Sequence, residues 1–317
     1  CAIVAVGWGL AAFERAVTAR IAAFEAPRTG VKVLDRNGAL LRAFASDDGR
    51  WRLEAGADDV DPRYLAMLLA WEDKRFTDHG GVDPRAFLRA AWETLIHRHI
   101  VSGGSTLTMQ VARMLGRLPT GSLAAKGEQV LVAIALERTL SKAEILSLYL
   151  QLAPYGGNLE GVRAASLSFF GKEPKRLTAA EAALLVALPQ SPERYRPDRY
   201  PDRAKAARDR VIARMATLGL ISDREAVRAM REAMPSGRRA LPMLAAHASV
   251  RVHQAKPEAA RIDLTIDKAL QARLEDYARQ KAQGLKKPVS LALLVADAAT
   301  GEVLAQLGSP DLFDREI

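Results

Sequence analysis

The sequence is organised around fourteen residues, which read Trp71-Glu72-Asp73-Lys74-Arg75-Phe76-Thr77-Asp78-His79-Gly80-Gly81-Val82-Asp83-Pro84. They follow an apolar helical run, residues 64–70, and place adjacent carboxylates, cations, an aromatic ring and an imidazole beside a glycine pair. A carboxylate that a buried helix delivers to a glycine-rich turn can act as an acid or a base, because partial burial raises its pKa and the turn opens access. The same residues also fit a charged helix C-terminus that Gly80 caps. Both interpretations are open at this point.

Composition limits the class of protein. The chain has 317 residues, 49% of them hydrophobic, and a formal net charge of +9, so it can bury a large core and suits phosphate-bearing or membrane-surface partners. It carries no helix-turn-helix signature, no zinc-ligand spacing and no aromatic ribonucleoprotein box, so we expect no nucleic-acid partner. With a single cysteine and five scattered histidines, no internal disulfide and no dedicated metal site is expected.

The N-terminus is apolar as far as Phe13 and carries no charged side chain before Glu14. Thirteen residues are too few to span a bilayer, which needs about twenty. Residues 1–13 are therefore predicted to be the remnant of a single-pass membrane anchor whose first half is missing. A lipidated Cys1 is the alternative.

The rest of the chain is predicted to be mainly α-helical. Residues 14–45 should form a connecting helix and a small β hairpin that turns at Asn37-Gly38. Helical patterns then dominate to about residue 230, and Ser141-Lys142-Ala143-Glu144 is predicted to be a capping box that opens one of these helices. Residues 201–260 are interpreted as a helical linker. From residue 261 strands reappear around a helix that Asp267 caps, which indicates the incomplete start of an α+β domain over residues 261–317.

A second stretch carries chemistry of its own and reads Gly103-Gly104-Ser105-Thr106-Leu107-Thr108-Met109-Gln110-Val111-Ala112-Arg113. A glycine turn here leads into a helix whose first turns bear hydroxyls, an amide and a cation. Free backbone donors at a helix N-terminus suit a phosphate, and Arg113 would add charge-assisted hydrogen bonds. The alternative is that Ser105 is simply a helix cap.

Together the two stretches resemble the first two motifs of the peptidoglycan glycosyltransferases, glycosyltransferase family 51. Lys126-x-x-Gln129 resembles the third motif, and residues 145–151 and 181–192 resemble the fourth and fifth. The resemblance covers about residues 45–200, and its details are most similar to the class A penicillin-binding proteins of the 1C type. It implies a mainly α, lysozyme-like glycosyltransferase domain over residues 46–200.

The resemblance also reaches the end of the chain. Residues 261–317 are similar to the opening of the transpeptidase domain of those bifunctional enzymes. A Ser-x-x-Lys nucleophile is absent from the sequence, so no transpeptidase activity is expected.

The implied function is polymerisation of lipid II into glycan strands with inversion, in cell wall biosynthesis and the maintenance of cell shape, with release of a polyprenyl pyrophosphate. Glu72 is the predicted catalytic base. The predicted substrate-binding residues are Asp73, Phe76, His79, Gly104, Ser105, Thr106, Thr108, Gln110, Arg113, Lys126 and Gln129. For Asp73 a supporting role behind the site is an equal alternative.

Departures from the family pattern qualify this interpretation. Ala125 and Gln129 stand where the third motif carries Arg and Glu, and Gln151 ends the fourth motif in place of Asn. Gln129 can donate a hydrogen bond to a pyrophosphate, but it can neither exchange protons nor bind a metal as Glu would. Glu72 is thus left as the only candidate general base. A catalytically weak scaffold that binds lipid II and a lysozyme-like glycan hydrolase stay open as alternatives.

The substrate implies a location. Residues 87–100, with His97, Arg98 and His99 near the end, form an apolar and basic helix that the resemblance implies dips into the bilayer; an ordinary core helix is the alternative.

The expected partners are lipid II, the growing glycan strand, the membrane and other cell-wall synthesis proteins. We expect the enzyme at the inner membrane with its catalytic domain on the periplasmic side. Whether a divalent cation, magnesium or manganese, assists the pyrophosphate is left open.

Overall fold

The chain is represented by a computed structural model that describes residues 2–22, 28–97, 104–119, 122–283 and 291–309. Cys1, Arg98, His99 and Gly103, which entered the predictions above, lie outside these ranges. The chain divides into two compact units. A helical unit comprises residues 1–27 and 54–239, and a sheet unit comprises residues 28–53 and 240–317.

Helices dominate the described residues, as predicted. In chain order they are α1 Ala2–Ala22, α2 Pro62–Glu72, α3 Pro84–His97, α4 Leu107–Leu115, α5 Leu123–Thr139, α6 Lys142–Leu152, α7 Val162–Phe170, α8 Ala179–Ala187, α9 Pro201–Thr217, α10 Asp223–Arg231, α11 Ala246–Ala255 and α12 Lys268–Ala282. The strands are β1 Lys32–Leu34, β2 Leu40–Ala43, β3 Trp51–Arg52, β4 Pro154–Gly156, β5 Leu159–Glu160, β6 Arg261–Asp263, β7 Leu293–Ala296 and β8 Val303–Leu307.

The core of the helical unit is built around α8. Every residue of this helix except Glu181 is buried, and α2, α7, α9 and α10 pack against it. Its alanines let the neighbouring helices approach closely. Thr178 and Glu181 form a reciprocal capping box that starts the helix. At its other end α8 runs into a single 3₁₀ turn, Leu188–Gln190, which reaches the candidate site.

The first organising stretch begins at the end of α2. Asp61 caps the helix through the backbone N–H of Arg63, and Pro62 occupies the first helical position, where its missing N–H costs nothing. Tyr64, Met67 and Leu68 are buried, which fixes the helix on the core. The helix therefore ends with Glu72 at a defined place.

The sheet unit joins segments that are distant in sequence. Its main sheet has the order β2-β1-β6, with β1 antiparallel to β2 and parallel to β6. Val33, Leu41 and Ile262 are among the buried residues of its core. The predicted hairpin is confirmed, with Gly38 at φ +79° in its turn. The predicted α+β character of the C-terminal segment appears in α12 and in strands β6 to β8.

The two compact units divide the chain differently from the predicted segments. The hairpin belongs to the sheet unit, because the free edge of β1 pairs with β6. The residues predicted to be a linker, 201–260, are divided between the two units. Their helices α9 and α10 belong to the helical unit, where Val211, Ile212 and Met215 are fully buried, and α11 belongs to the sheet unit.

The predicted anchor remnant falls in α1, whose described residues start at Ala2. Across the described ranges, no helix combines the length and the apolar character needed to cross a membrane.

Candidate active site

A cleft of about 450 Å³ opens in the helical unit between the end of α2, α4, the start of α5 and the turn after α8. It brings together most of the predicted polar residues. The residues that line it are Glu72, Ser105, Met109, Gln110, Arg113, Ser122, Lys126, Gln129, Pro189 and Gln190. One carboxylate thus shares a cleft with two cations.

Glu72 is the last residue of α2, and its side chain is only partly exposed. Gln110 donates a hydrogen bond from Nε2 to Oε2 of this carboxylate over 2.8 Å, and Nε2 of Gln190 lies 3.5 Å from Oε1. Burial raises the pKa of Glu72, while the two amide hydrogen bonds and the charge of Arg113 act to lower it. A partly desolvated carboxylate with a raised pKa is suited to accept a proton.

Asp73 does not line the cleft but lies behind it. Its carboxylate is buried and accepts the backbone N–H of Leu107 over 2.8 Å and Nε2 of His79 over 2.9 Å. A carboxylate at the N-terminus of α4 is stabilised by the free N–H groups and the positive end of the helix dipole. Asp73 and His79 therefore fix the start of α4 against the loop after α2, which favours the supporting role for Asp73.

Four more predicted residues lie outside the lining of the cleft. Thr106 caps α4 by accepting the N–H of Met109 and donates to the carbonyl of Gly81 over 2.6 Å. Thr108 donates to Oε1 of Glu137 over 2.6 Å, and the ring of Phe76 is buried. Gly104 is partly exposed and directly precedes Ser105, which does line the cleft.

The cationic side of the cleft is formed by Arg113 of α4 and Lys126 of α5. The Lys126 ammonium donates a hydrogen bond to Oγ of Ser105. Burial lowers the pKa of Lys126, and the nearby charge of Arg113 lowers it further. Two cations held in one partly desolvated cleft make a site for an anion of more than one charge.

Gln129 lies at the back of the same cleft, 6% exposed, and its Nε2 is 3.3 Å from the carbonyl oxygen of Pro119. The amide donor is thus turned toward the loop that follows α4. This contact differs from the predicted hydrogen bond to a pyrophosphate.

Sequence reasoning missed a pair of charged residues behind the site. Lys142 donates to Oε1 of Glu137 over 2.7 Å and to the carbonyl of His79 over 2.6 Å, and its ammonium lies 4.6 Å from the centroid of the Phe76 ring. The residues before α6 were interpreted only as a capping box, and Ser141 with Glu144 does form one. The signal that could have revealed Lys142 is its position directly after that cap, on the first turn of a buried helix.

Helix α3 presents an apolar stripe to solvent. The side chains of Leu88, Trp92 and Ile96 are 70%, 64% and 57% exposed and follow one another at helical i, i+4 spacing. An exposed stripe of large apolar side chains on one helix marks an interaction surface. The core-helix alternative does not fit this face of α3.

Metal ligands are not grouped in the described ranges, where no set of three His, Cys, Asp or Glu side chains lies close enough together to hold an ion.

The transglycosylase family matches residues 37–216 of this chain. Among relatives, penicillin-binding protein 1C of Escherichia coli strain K12 is 44% identical over 282 residues, which are 89% of this chain and 36% of that protein. Penicillin-binding protein 1F of Bacillus subtilis strain 168 is 34% identical over 198 residues, 62% of this chain and 27% of that protein. A crystal structure of penicillin-binding protein 1A from Haemophilus influenzae aligns with a TM-score of 0.37 at 16% identity, over 88% of this chain and 38% of that one.

The family match and the 44% identity to penicillin-binding protein 1C confirm the predicted resemblance to class A penicillin-binding proteins of the 1C type. The chain spans 36% of the length of the first relative and 27% of the second, so it corresponds to only part of such proteins.

Proposed function

We propose a function from one premise: the chain belongs to the transglycosylase family. The activity that we propose for this chain is the polymerisation of lipid II into glycan strands, with inversion at the anomeric carbon and release of a polyprenyl pyrophosphate. The observation that carries this proposal is the common cleft, in which the Glu72 carboxylate faces the cations Arg113 and Lys126. A base for an acceptor hydroxyl and a cationic site for a leaving pyrophosphate are the two groups that this transfer needs.

Glu72 acts as the general base. Its carboxylate takes the proton of the 4-hydroxyl of the acceptor sugar as that oxygen forms a bond to the anomeric carbon of the growing strand. The bond from the anomeric carbon to the phosphate oxygen breaks on the opposite face, and the pyrophosphate leaves with the electron pair. General base catalysis of this kind contributes about 10² to 10⁴ in rate. Gln110 and Gln190 orient the carboxylate that performs it.

Arg113, Lys126 and Ser105 hold the pyrophosphate as its negative charge develops. Fixed cations in a partly desolvated cleft stabilise that charge without reorganising, which is the largest contribution in many transfer reactions. Because Lys126 has a lowered pKa through burial and through Arg113, an arriving anion relieves an existing repulsion. Product release then restores the repulsion.

The described residues of the cleft do not fit a divalent cation held by the protein. Glu72 is the only carboxylate among its lining residues, and Arg113 and Lys126 would repel a metal ion. A magnesium or manganese ion at the pyrophosphate would have to take its ligands from the substrate, and no step is assigned to one.

A membrane location follows from the substrate. The polyprenyl chain of lipid II stays in the bilayer, so the cleft must work at the membrane surface. The exposed stripe Leu88, Trp92 and Ile96 supports a role for α3 in contacting lipid. We place the enzyme at the inner membrane with the cleft on the periplasmic side, where other cell-wall synthesis proteins are its predicted partners.

One assay separates the proposed function from its alternatives. The protein is reconstituted with vesicles and labelled lipid II, and the products are separated by size. Polymer that disappears in Glu72→Gln supports the glycosyltransferase. Shortening of added glycan strands would indicate the hydrolase instead, and lipid II binding without turnover would indicate the scaffold. If Glu72→Gln polymerises as fast as the parent protein, the assignment of the base is wrong.

A further inference from the structure

The loop that leaves α4 is held in a conformation that its sequence does not favour. Arg117 has a φ of +47°, in the left-handed region that non-glycine residues rarely adopt. The turn is closed by a hydrogen bond of 3.0 Å from the N–H of Leu118 to the carbonyl of Arg113. Such backbone persists only where surrounding contacts fix it, and it is common at functional sites.

The side chain of Gln129 makes a hydrogen bond from α5 to this loop. Its Nε2 donates to the carbonyl of Pro119 over 3.3 Å while the side chain, 6% exposed, borders the cleft. A carbonyl oxygen can only accept, so the donating end of the amide must face Pro119. A carboxylate at this position could not make the bond.

Electrostatic repulsion explains why the loop needs a stabilising contact. It follows Arg113 on α4 and precedes Lys126 on α5, so it lies on the chain between the two cations of the cleft. The two cations repel each other when no anion lies between them, which is one reason for the lowered pKa of Lys126. A neutral amide can hold the loop without reducing the positive charge that a pyrophosphate would meet.

We propose that Gln129 is a positioning residue, a neutral latch that fixes residues 116–119 and with them the spacing of Arg113 and Lys126. This inference rests on the proposed function for its meaning in catalysis. Gln129 stands where the family's third motif carries Glu. It thus has a structural role of its own, in place of the catalytic role that the Glu would have.

Gln129→Glu and Gln129→Leu test the latch. At a pH of about 8 the introduced carboxyl is ionised, cannot donate to Pro119 and adds a negative charge to the cleft; at about 4.5 part of it is protonated and can donate. The other charged groups that line the cleft are Glu72, Arg113 and Lys126. The leucine side chain of the second variant lacks a donor at every pH. Each exchange rate and each affinity is therefore expressed as the ratio of the variant's value to the parent's value at the same pH.

The first measurement is hydrogen exchange of the peptide that contains the Leu118 amide, which reports on the loop without any substrate. Both variants should exchange about tenfold faster than the parent at pH 8, the scale of one lost hydrogen bond. At the lower pH the Gln129→Glu ratio should return toward one, and the Gln129→Leu ratio should not. Unchanged exchange in both variants at pH 8 would overturn the latch.

The second measurement uses inorganic pyrophosphate as the probe and lipid II as the substrate. Pyrophosphate affinity at pH 8 should fall about tenfold in Gln129→Leu and about a hundredfold in Gln129→Glu, because only the latter adds charge. Polymerisation should show a raised KM in both. A Gln129→Glu variant that polymerises at pH 8 as fast as the parent, or faster, would mean that the position serves as a carboxylate site, and the latch would be abandoned.

Gln151→Glu is the matched control. It makes the same chemical change in a Gln whose Nε2 also faces a carbonyl, that of Ala55 at 3.5 Å, away from the residues that line the cleft. It should leave loop exchange and pyrophosphate binding unchanged. A parent protein that does not polymerise would refute the proposed function, while the exchange and pyrophosphate data would still decide on the latch.

Discussion

Gln110 donates a hydrogen bond over 2.8 Å to Glu72, which joins the second turn of α4 to the last residue of α2. The bond opposes the effect of burial, because burial raises the pKa of Glu72 and the amide hydrogen bond lowers it. The ionisation of the candidate base is therefore set by a balance that single substitutions can change.

Gln110→Leu should shift the pH dependence of polymerisation. Without the amide donor, the ionised form of Glu72 loses a stabilising bond and its pKa rises further. A base must be deprotonated, so the acidic limb of kcat/KM against pH should move to higher pH. An acidic limb at the parental position would contradict the role of Gln110.

Glu72→Gln should stabilise the protein at neutral pH while it abolishes activity. A carboxyl whose folded pKa is raised favours the folded state below its unfolded pKa, and this contribution is lost as pH rises through the folded pKa. The parent loses this contribution as its carboxyl ionises with rising pH, whereas the amide never ionises. The variant should melt at a higher temperature at pH 7, and the difference should shrink as the pH falls toward 4. If Glu72→Gln and the parent protein melt at the same temperature at both pH values, ionisation of Glu72 does not destabilise the folded state.

Lys142→Met should destabilise the helical unit by about 1.5 to 3 kcal/mol, since it leaves the Glu137 carboxylate and the His79 carbonyl without their charged donor. Urea unfolding measures the loss, and polymerisation should fall with it because the loop behind Glu72 loosens. Lys175→Met is the control, as Lys175 is exposed. Equal unfolding midpoints for the two variants would refute the structural role of Lys142.

Gly81→Ala should cost about 1 to 3 kcal/mol in the free energy of unfolding, whereas Gly80→Ala should cost little. Gly81 has a φ of +93°, and an added Cβ would lie 2.8 Å from the carbonyl oxygen of Ala133. At Gly80 a Cβ would meet nothing within 4 Å. The displaced Gly81 carbonyl would also lose the Thr106 hydroxyl, so polymerisation should drop as well. Thermal melts of the adjacent pair test this directly.

Replacing Leu88 and Trp92 together by Gln should weaken binding to lipid vesicles about tenfold or more, because both side chains are largely exposed and available to enter the bilayer. Flotation with vesicles provides the measurement, and circular dichroism verifies the fold. Val227→Gln, an exposed apolar position on α10, should bind vesicles like the parent. Equal flotation of all three proteins would exclude α3 as the lipid-contacting face.

Local features were the ones that could be predicted from sequence. The hairpin at Asn37-Gly38 and the capping box at Ser141 depend on neighbouring residues, and the structure confirms them. The gathering of Glu72, Arg113 and Lys126 was predictable only through the family motifs, since periodicity places each on its helix without saying which helices meet.

Other contacts could not be predicted because they depend on tertiary structure. The engagement of Asp73 with His79 and the N–H of Leu107 requires the start of α4 to meet the loop after α2. The contact from Gln129 to Pro119 depends on an irregular loop whose left-handed residue, Arg117, carries no sequence signal. The parallel pairing of β1 with β6 joins partners that are distant along the chain, and neither strand specifies its neighbour.

That pairing has a consequence for biosynthesis. A ribosome makes the β1–β2 hairpin early but delivers β6 only after the whole helical unit has emerged. The helices can condense from nearby contacts during synthesis, while the nascent hairpin carries an unpaired edge until its partner arrives. We expect chains interrupted shortly after α10 to yield a folded helical unit with an aggregation-prone N-terminal segment. Expression of a shortened fragment should accordingly improve when residues 28–53 are covered or removed.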